Sequence, residues 1–224
     1  METKIQLERG QLIDVGALAS MLLARRTMRQ RFSLPYEENQ IIDILTASMI
    51  AEVRYRGGEY VSTPGIEKAI EVTAAWLHGG GKTGMLYCGR CGNGKTTLMR
   101  AVMTLTGYVA AIDIDGTPMS LRYTTARDIA HCSISEQGTY ERLCKCPMLA
   151  IDDLGTEPTE VLDYGNVTNP AIDLLSRRYD EQLFTMISTN LAPKEIREKY
   201  GDRIAVGVDT RDGKVKTAGW IEDS

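Results

Sequence analysis

The sequence predicts an α/β protein, a parallel sheet flanked by helices, with a small helical segment ahead of it. Three observations predict it. From Lys82 onward, short apolar runs alternate with stretches of helical periodicity, the pattern of repeated β-α units. A glycine-rich segment from Gly89 to Gly94 stands between one such run and a helix. Two further runs are apolar throughout and end in polar tips, as strands buried inside a sheet do.

The elements follow in order. Leu12, Val15, Leu18 and Leu22 recur at helical spacing, and Ile41, Ile42, Leu45 and Met49 do so again after Pro35, a residue suited to a first helical turn. After a turn at Gly57-Gly58, Thr63-Pro64 combines a capping residue with proline at the first helical position. It opens a third helix through Ile66, Ile70 and Leu77, which ends at Gly79-Gly80-Gly81. Strands are predicted at Met85 to Cys88, Leu121 to Tyr123, Met148 to Asp152 and Phe184 to Ser188. Helices are predicted from Lys95 to Thr106, Thr125 to Ala130, Thr139 to Cys144, Pro170 to Gln182 and Pro193 to Tyr200. Tyr108 to Ile114 is strand-like but ends in the turn signal Asp115-Gly116, and Asp212-Gly213 marks a hairpin in the tail. The domain boundary is expected between Gly57 and Gly81: residues 1–57 a helical segment that docks a partner, 58–81 a linker and helix, 82–224 the sheet domain.

Composition narrows the function. A chain of 224 residues with 43% hydrophobic residues buries a real core, and a net charge of −4 leaves no global basic field for nucleic acid. The amino end lacks a basic n-region, and no window approaches the roughly 18 apolar residues of a membrane span. A soluble, cytoplasmic protein is expected. Five cysteines, an odd number, suit reduced thiols; Cys88-Gly89-Arg90-Cys91 and Cys144-Lys145-Cys146 lack the two closed ligand pairs of a zinc site.

The chemistry begins at Gly89-Arg90-Cys91-Gly92-Asn93-Gly94-Lys95-Thr96, which satisfies the phosphate-loop pattern G-x-x-x-x-G-K-[ST] after a strand and before a helix. Glycines let successive backbone N–H groups turn toward one concavity, where they and the helix N-terminus hold phosphates. Together with Thr97, this segment is the candidate binding loop for ATP. Lys95 reaches the β and γ phosphates, and the Thr96 hydroxyl ligates Mg²⁺.

Met148-Leu149-Ala150-Ile151-Asp152-Asp153 is a buried-strand run ending in two carboxylates. In that position Asp152 holds Mg²⁺, directly or through water, and Asp153 polarises the attacking water. Phe184-Thr185-Met186-Ile187-Ser188-Thr189-Asn190 is another apolar strand with a polar tip, so Asn190 either positions the lytic water or simply caps the helix near Pro193.

These motifs in this order resemble the AAA+ ATPases of the DnaC-type helicase loaders and the similar IstB-type transposition helpers. The resemblance is carried by Met85 to Gly89 with the phosphate loop, Ile151-Asp152-Asp153-Leu154-Gly155-Thr156-Glu157, Arg178-Tyr179 with Thr185, and Ser188-Thr189-Asn190-Leu191. It covers about Lys82 to Arg203. It implies a P-loop NTPase of AAA+ type, Asn190 as the sensor residue, and Glu157 in support of the Asp152-Asp153 turn. It also implies no helical lid domain after Asn190. Members of the family carry an arginine that acts on the neighbouring subunit's nucleotide, in a Gly-x-Arg segment with a second arginine four positions on. Gly201-Asp202-Arg203 supplies the first, but Gly207 stands at the second, leaving Arg203 or Arg178 for that role.

Arg25, Arg26, Arg29 and Arg31 form a basic cluster, read either as a solvated face or as a contact to a helicase or to DNA phosphates. The expected function is ATP hydrolysis driving replicative helicase loading, with single-stranded DNA and an ATP-dependent homo-oligomer as partners. The alternatives are a transposition helper, a nucleotide switch with little turnover, and a small-molecule kinase.

Overall fold

The computed structural model describes residues 14–24, 33–79, 83–89, 91–109, 120–158, 161–163 and 166–205. The chain divides into two compact units, residues 1–30 and 31–224. In the first, the described structure is one helix, α1 (Val15–Ala24). The division falls between Gln30 and Arg31.

The second unit begins with α2 (Glu38–Tyr55) and α3 (Pro64–Leu77). Pro35 lies outside α2, whose start is set by the Gln40 side chain accepting from the Glu37 N–H at 3.0 Å. Thr63 caps α3 as its sequence predicts, accepting from Ile66 N–H at 3.3 Å. Then come β1 (Gly84–Cys88), α4 (Lys95–Tyr108), β2 (Arg122–Thr125), α5 (Ala126–Ser135), α6 (Gln137–Lys145) and β3 (Met148–Leu154). A short antiparallel pair follows, β4 (Val161–Asp163) with β5 (Asn166–Thr168), then α7 (Pro170–Asp180), β6 (Phe184–Thr189) and α8 (Pro193–Ala205).

Four strands form one parallel sheet in the order β1-β6-β3-β2. Period-two alternation divides its side chains between two cores. Met85, Tyr87, Met148, Ala150, Phe184 and Met186 belong to one, with Ile41, Leu45, Ile70, Met99 and Leu105 from α2, α3 and α4. Leu86, Cys88, Leu149 and Ile151 belong to the other, with Ile129, Leu143, Leu174, Ile196 and Tyr200 from α5 to α8. Burial on both faces explains why these strands read as unbroken apolar runs. Trp76 of α3 stacks on Phe184, ring centroids 4.1 Å apart.

Two elements differ from expectation. Tyr108 ends α4 instead of opening a strand, and residues 110–119 lie outside the described residues. The β4-β5 pair was not foreseen, because strands of three residues carry too little periodicity to register. The tail hairpin and Arg25, Arg26, Arg29 and Arg31 lie outside the described residues. Among the described residues, no helix is long and apolar enough to cross a membrane.

Candidate functional site

Because the sheet is parallel, β1, β6 and β3 end on one edge, and their tips meet there. β1 runs into the glycine-rich loop, and Gly94, left-handed at φ 78°, turns the chain into α4. A side chain at that φ costs on the order of 1 kcal/mol, so the glycine is required by the turn. The Leu98 N–H donates to the Gly94 carbonyl at 2.8 Å and closes the first turn of α4. The N-terminus of such a helix favours an anion.

Lys95 Nζ donates to the Gly89 carbonyl at 2.8 Å and to Asn190 Oδ1 at 2.9 Å. Its ammonium therefore spans the loop and the tip of β6. Asn190, one of whose readings was a helix cap, meets Lys95 through its side-chain oxygen. Thr96 Oγ1 donates to Asp152 Oδ1 at 3.2 Å, joining the helix start to the tip of β3.

Asp152 is 3% exposed and heavily hydrogen-bonded. Besides Thr96 it accepts from Ser188 Oγ, from the Asp153 N–H at 3.2 Å and from Tyr123 Oη at 2.5 Å. Buried charge is tolerated when it is so surrounded by donors. The Tyr123 phenol is pushed up to about 12, first by burial, then by the hydrogen bond and charge of Asp152; Arg100, 5.3 Å from its ring centroid, acts in the opposite direction. Tyr123 therefore stays a proton donor at neutral pH. It is a site residue that the motifs did not reveal, since β2 carries no pattern of its own.

Asp153 stands where β3 slips register against β6, between Ile151 and Leu154, with φ 55°. Such an irregularity turns a side chain out of the strand's regular alternation. The turn is held on several sides. Its N–H donates to Ser188 Oγ at 3.0 Å, and its carbonyl accepts from Thr156 N and Oγ1 at 3.2 and 2.9 Å. Gly155 follows at φ 111°, where an added Cβ would lie 2.7 Å from the Leu191 side chain. Glu157, 4% exposed, accepts from the Gly155 N–H at 2.8 Å and from Tyr200 Oη.

The arginines fare differently. Arg178 is 1% exposed, its guanidinium donating to Thr185 Oγ1 and to the carbonyls of Leu143, Cys146 and Phe184 at 2.8–2.9 Å. That corrects the reading of Arg178 as an arginine acting on a neighbouring subunit: it binds α7 to β6 and the α6-β3 connection from inside the core. Arg203 lies in α8 beyond a break at Gly201 (φ 77°, ψ 169°), its side chain outside the described residues together with Arg90 and Gly207.

A cavity of about 420 Å³ opens beside the loop, lined by Gly92, Asn93, Gly94, Lys95 and Thr97 on one side. Met49, Tyr60, Ile66 and Ile70 line the other. These apolar residues were missed because the segment around Gly57-Gly58 reads locally as a linker. Cys91 of the loop is exposed and Cys88 is buried.

No family model matches the chain. Its structure is similar to that of DnaI, with a TM-score of 0.50 and 19% identity over 80% of this chain and 92% of that one. It is also similar to AMPPCP-bound DnaA from Aquifex aeolicus, TM-score 0.49 and 18% identity, over 73% of this chain and 48% of that one. A structure of DnaA bound to AMPPCP and single-stranded DNA matches at 0.49 and 18%, over 73% and 47%. The chain thus spans about half the length of the DnaA chains it matches. A 30-residue stretch is 63% identical to an imidazole-4-carboxamide isomerase from Picosynechococcus sp., but covers 13% of this chain and 12% of that protein. With its parallel sheet, phosphate loop and likeness to DnaI, the chain has an α/β P-loop NTPase fold.

Proposed function

We propose that this chain binds ATP with Mg²⁺ and hydrolyses it, acting in DNA replication as a loader of the replicative helicase. The observation that carries the ATPase reading is Lys95 bridging Gly89 and Asn190 while Thr96 meets Asp152, five groups from three segments on one edge. In this reading the loop amides and Lys95 hold the phosphates, and the cavity beside them takes the nucleoside against Tyr60, Ile66 and Ile70. Asp153 orients and polarises the attacking water, and Asn190 fixes its place opposite the γ phosphate.

The Thr96 hydroxyl and the Asp152 carboxylate fit magnesium. They are hard oxygens 3.2 Å apart at the helix start, and magnesium takes few protein ligands beside phosphate and water. When bound, the ion neutralises charge that develops on the phosphates.

The loader role rests on the Asp152-Asp153-Leu154-Gly155 and Ser188-Thr189-Asn190-Leu191 motifs together with the fold shared with DnaI. The partners that follow are a replicative helicase, single-stranded DNA and further copies of this chain, in the cytoplasm. Residues 1–57 are the docking segment, and Arg203 is the arginine left for the neighbouring subunit's nucleotide. The transposition-helper reading shares the same motifs and differs in its partner.

Phosphate release measured for the chain alone, with single-stranded DNA and with a replicative helicase tests the proposal, beside nucleotide titration of Lys95→Ala. Loss of a charge-assisted contact predicts about 10- to 100-fold weaker nucleotide binding in that variant. Unchanged affinity would remove the central claim. Stimulation by a transposase and not by a helicase would replace the loader with the transposition helper.

A further inference from the structure

We propose that Lys199 and Tyr200 of α8 are positioning residues for the Asp153 carboxylate, acting through Glu157. The proposal rests on the hydrolytic reading above and names the part of the fold that holds the proposed base in place.

Asp153 sits at φ 55°, a region that residues other than glycine enter only when their surroundings hold them there. Its amide and carbonyl are held by Ser188 and Thr156. The next part of the turn is held from α8. Lys199 Nζ donates to the carbonyls of Gly155 and Glu157 at 2.8 and 3.1 Å and lies 3.4 Å from Glu157 Oε1. Tyr200 Oη donates to the same carboxylate oxygen, and the other oxygen takes the Gly155 N–H at 2.8 Å.

The Glu157 side chain is fully buried and that of Lys199 is 18% exposed, so the pair is a shielded contact whose geometry matters. Burial, then the Glu157 contact, pushes the Tyr200 phenol far above its usual range, which keeps it a donor. Gly155 is pinned from the remaining side by Leu191, one residue past Asn190. Helix α8 begins two residues after Leu191, so one short segment carries the sensor tip, the wedge on Gly155 and the two donors to Glu157. None of these contacts lies in the nucleotide cavity, and the effect of losing one is to loosen the Asp153 turn while the phosphate loop stays formed.

The test uses Tyr200→Phe, which keeps the ring, Lys199→Met, and Lys199→Arg, which keeps charge and donors. In the full chain, kcat for ATP is expected to fall about tenfold or more in Tyr200→Phe and Lys199→Met. KM and nucleotide affinity are expected to stay within about twofold, and Lys199→Arg to retain most of kcat. In an Asp153→Asn background, Tyr200→Phe should add little further loss, because residues acting through one group are not additive. Three results overturn the proposal: kcat unchanged in Tyr200→Phe, affinity falling in step with kcat, or the Tyr200→Phe loss persisting in full in the Asp153→Asn background. Should Lys199→Met fail to fold, Tyr200→Phe and Lys199→Arg still decide. A parent chain that does not turn ATP over overturns the hydrolytic reading and this proposal with it. A parent that does, with both variants unaffected, overturns this proposal alone.

Discussion

Lys95 Nζ lies 2.9 Å from Asn190 Oδ1, joining the start of α4 to the tip of β6. The tips of β1, which leads into α4, and β6 are neighbours because the whole of β1 pairs with β6, from Gly84 with Thr185 to Cys88 with Thr189. Since Asn190 reaches the phosphate-loop lysine from outside the loop, Asn190→Ala should separate binding from turnover. Nucleotide affinity is expected to stay within about threefold while kcat falls on the order of 100-fold, the size of losing one donor aimed at a reacting centre. Steady-state phosphate release beside equilibrium titration reads both. Equal losses would make Asn190 a binding residue only.

Asp153→Asn is the direct test of the proposed base. Asparagine tolerates φ 55° better than most residues, so the turn is expected to survive the change. Turnover should drop by about 100- to 10,000-fold with nucleotide binding retained. A thermal melt unchanged beside an unchanged kcat would move the base role elsewhere.

Tyr123→Phe removes the 2.5 Å hydrogen bond to Asp152 and leaves one oxygen of a buried carboxylate short of a donor. A loss of about 1–3 kcal/mol in unfolding free energy is expected at neutral pH. The alkaline limb of stability should change too. The folded phenol is raised from 10.0 to about 12, so the stability it contributes is whole below pH 10 and is lost as pH rises through about 12. Chemical denaturation between pH 9 and 12 should therefore show a shallower decline in the variant.

Arg178→Ala should destabilise the fold and not subunit coupling. The guanidinium satisfies carbonyls of Leu143, Cys146 and Phe184 and the Thr185 hydroxyl inside the core. Leaving several of these unmet costs about 3–5 kcal/mol in sum. The variant is expected to melt well below the parent. Mixing it with the parent chain should not restore its activity, as it would for an arginine acting across a subunit boundary.

Much of this site is written locally. Gly89 to Thr96 declares its use because a turn needing glycines, a lysine and a hydroxyl must be consecutive to form one concavity. Asp152-Asp153 and Asn190 declare themselves as polar tips on strands buried on both faces. Tyr123 and Lys199 carry no such mark, because a single side chain on a strand or helix gains meaning only from what the fold sets beside it. Arg178 looked exposable by residue type, yet the backbone carbonyls that gather around it made burial acceptable. The cavity wall from Met49 to Ile70 was hidden by a turn that looks like a linker in isolation.

By itself, then, the sequence determined the α/β class, the phosphate loop and the candidate acids, since each depends on neighbours in the chain or on periodicity. Only the tertiary structure decided that β6 lies between β1 and β3, bringing Asn190 onto Lys95, and that α2 and α3 close the cavity. It alone revealed that Tyr123, Ser188 and Tyr200 hold the acidic turn. Strand order and side-chain pairing are settled by the simultaneous burial of both sheet faces, a property of the whole packed chain that no local window contains.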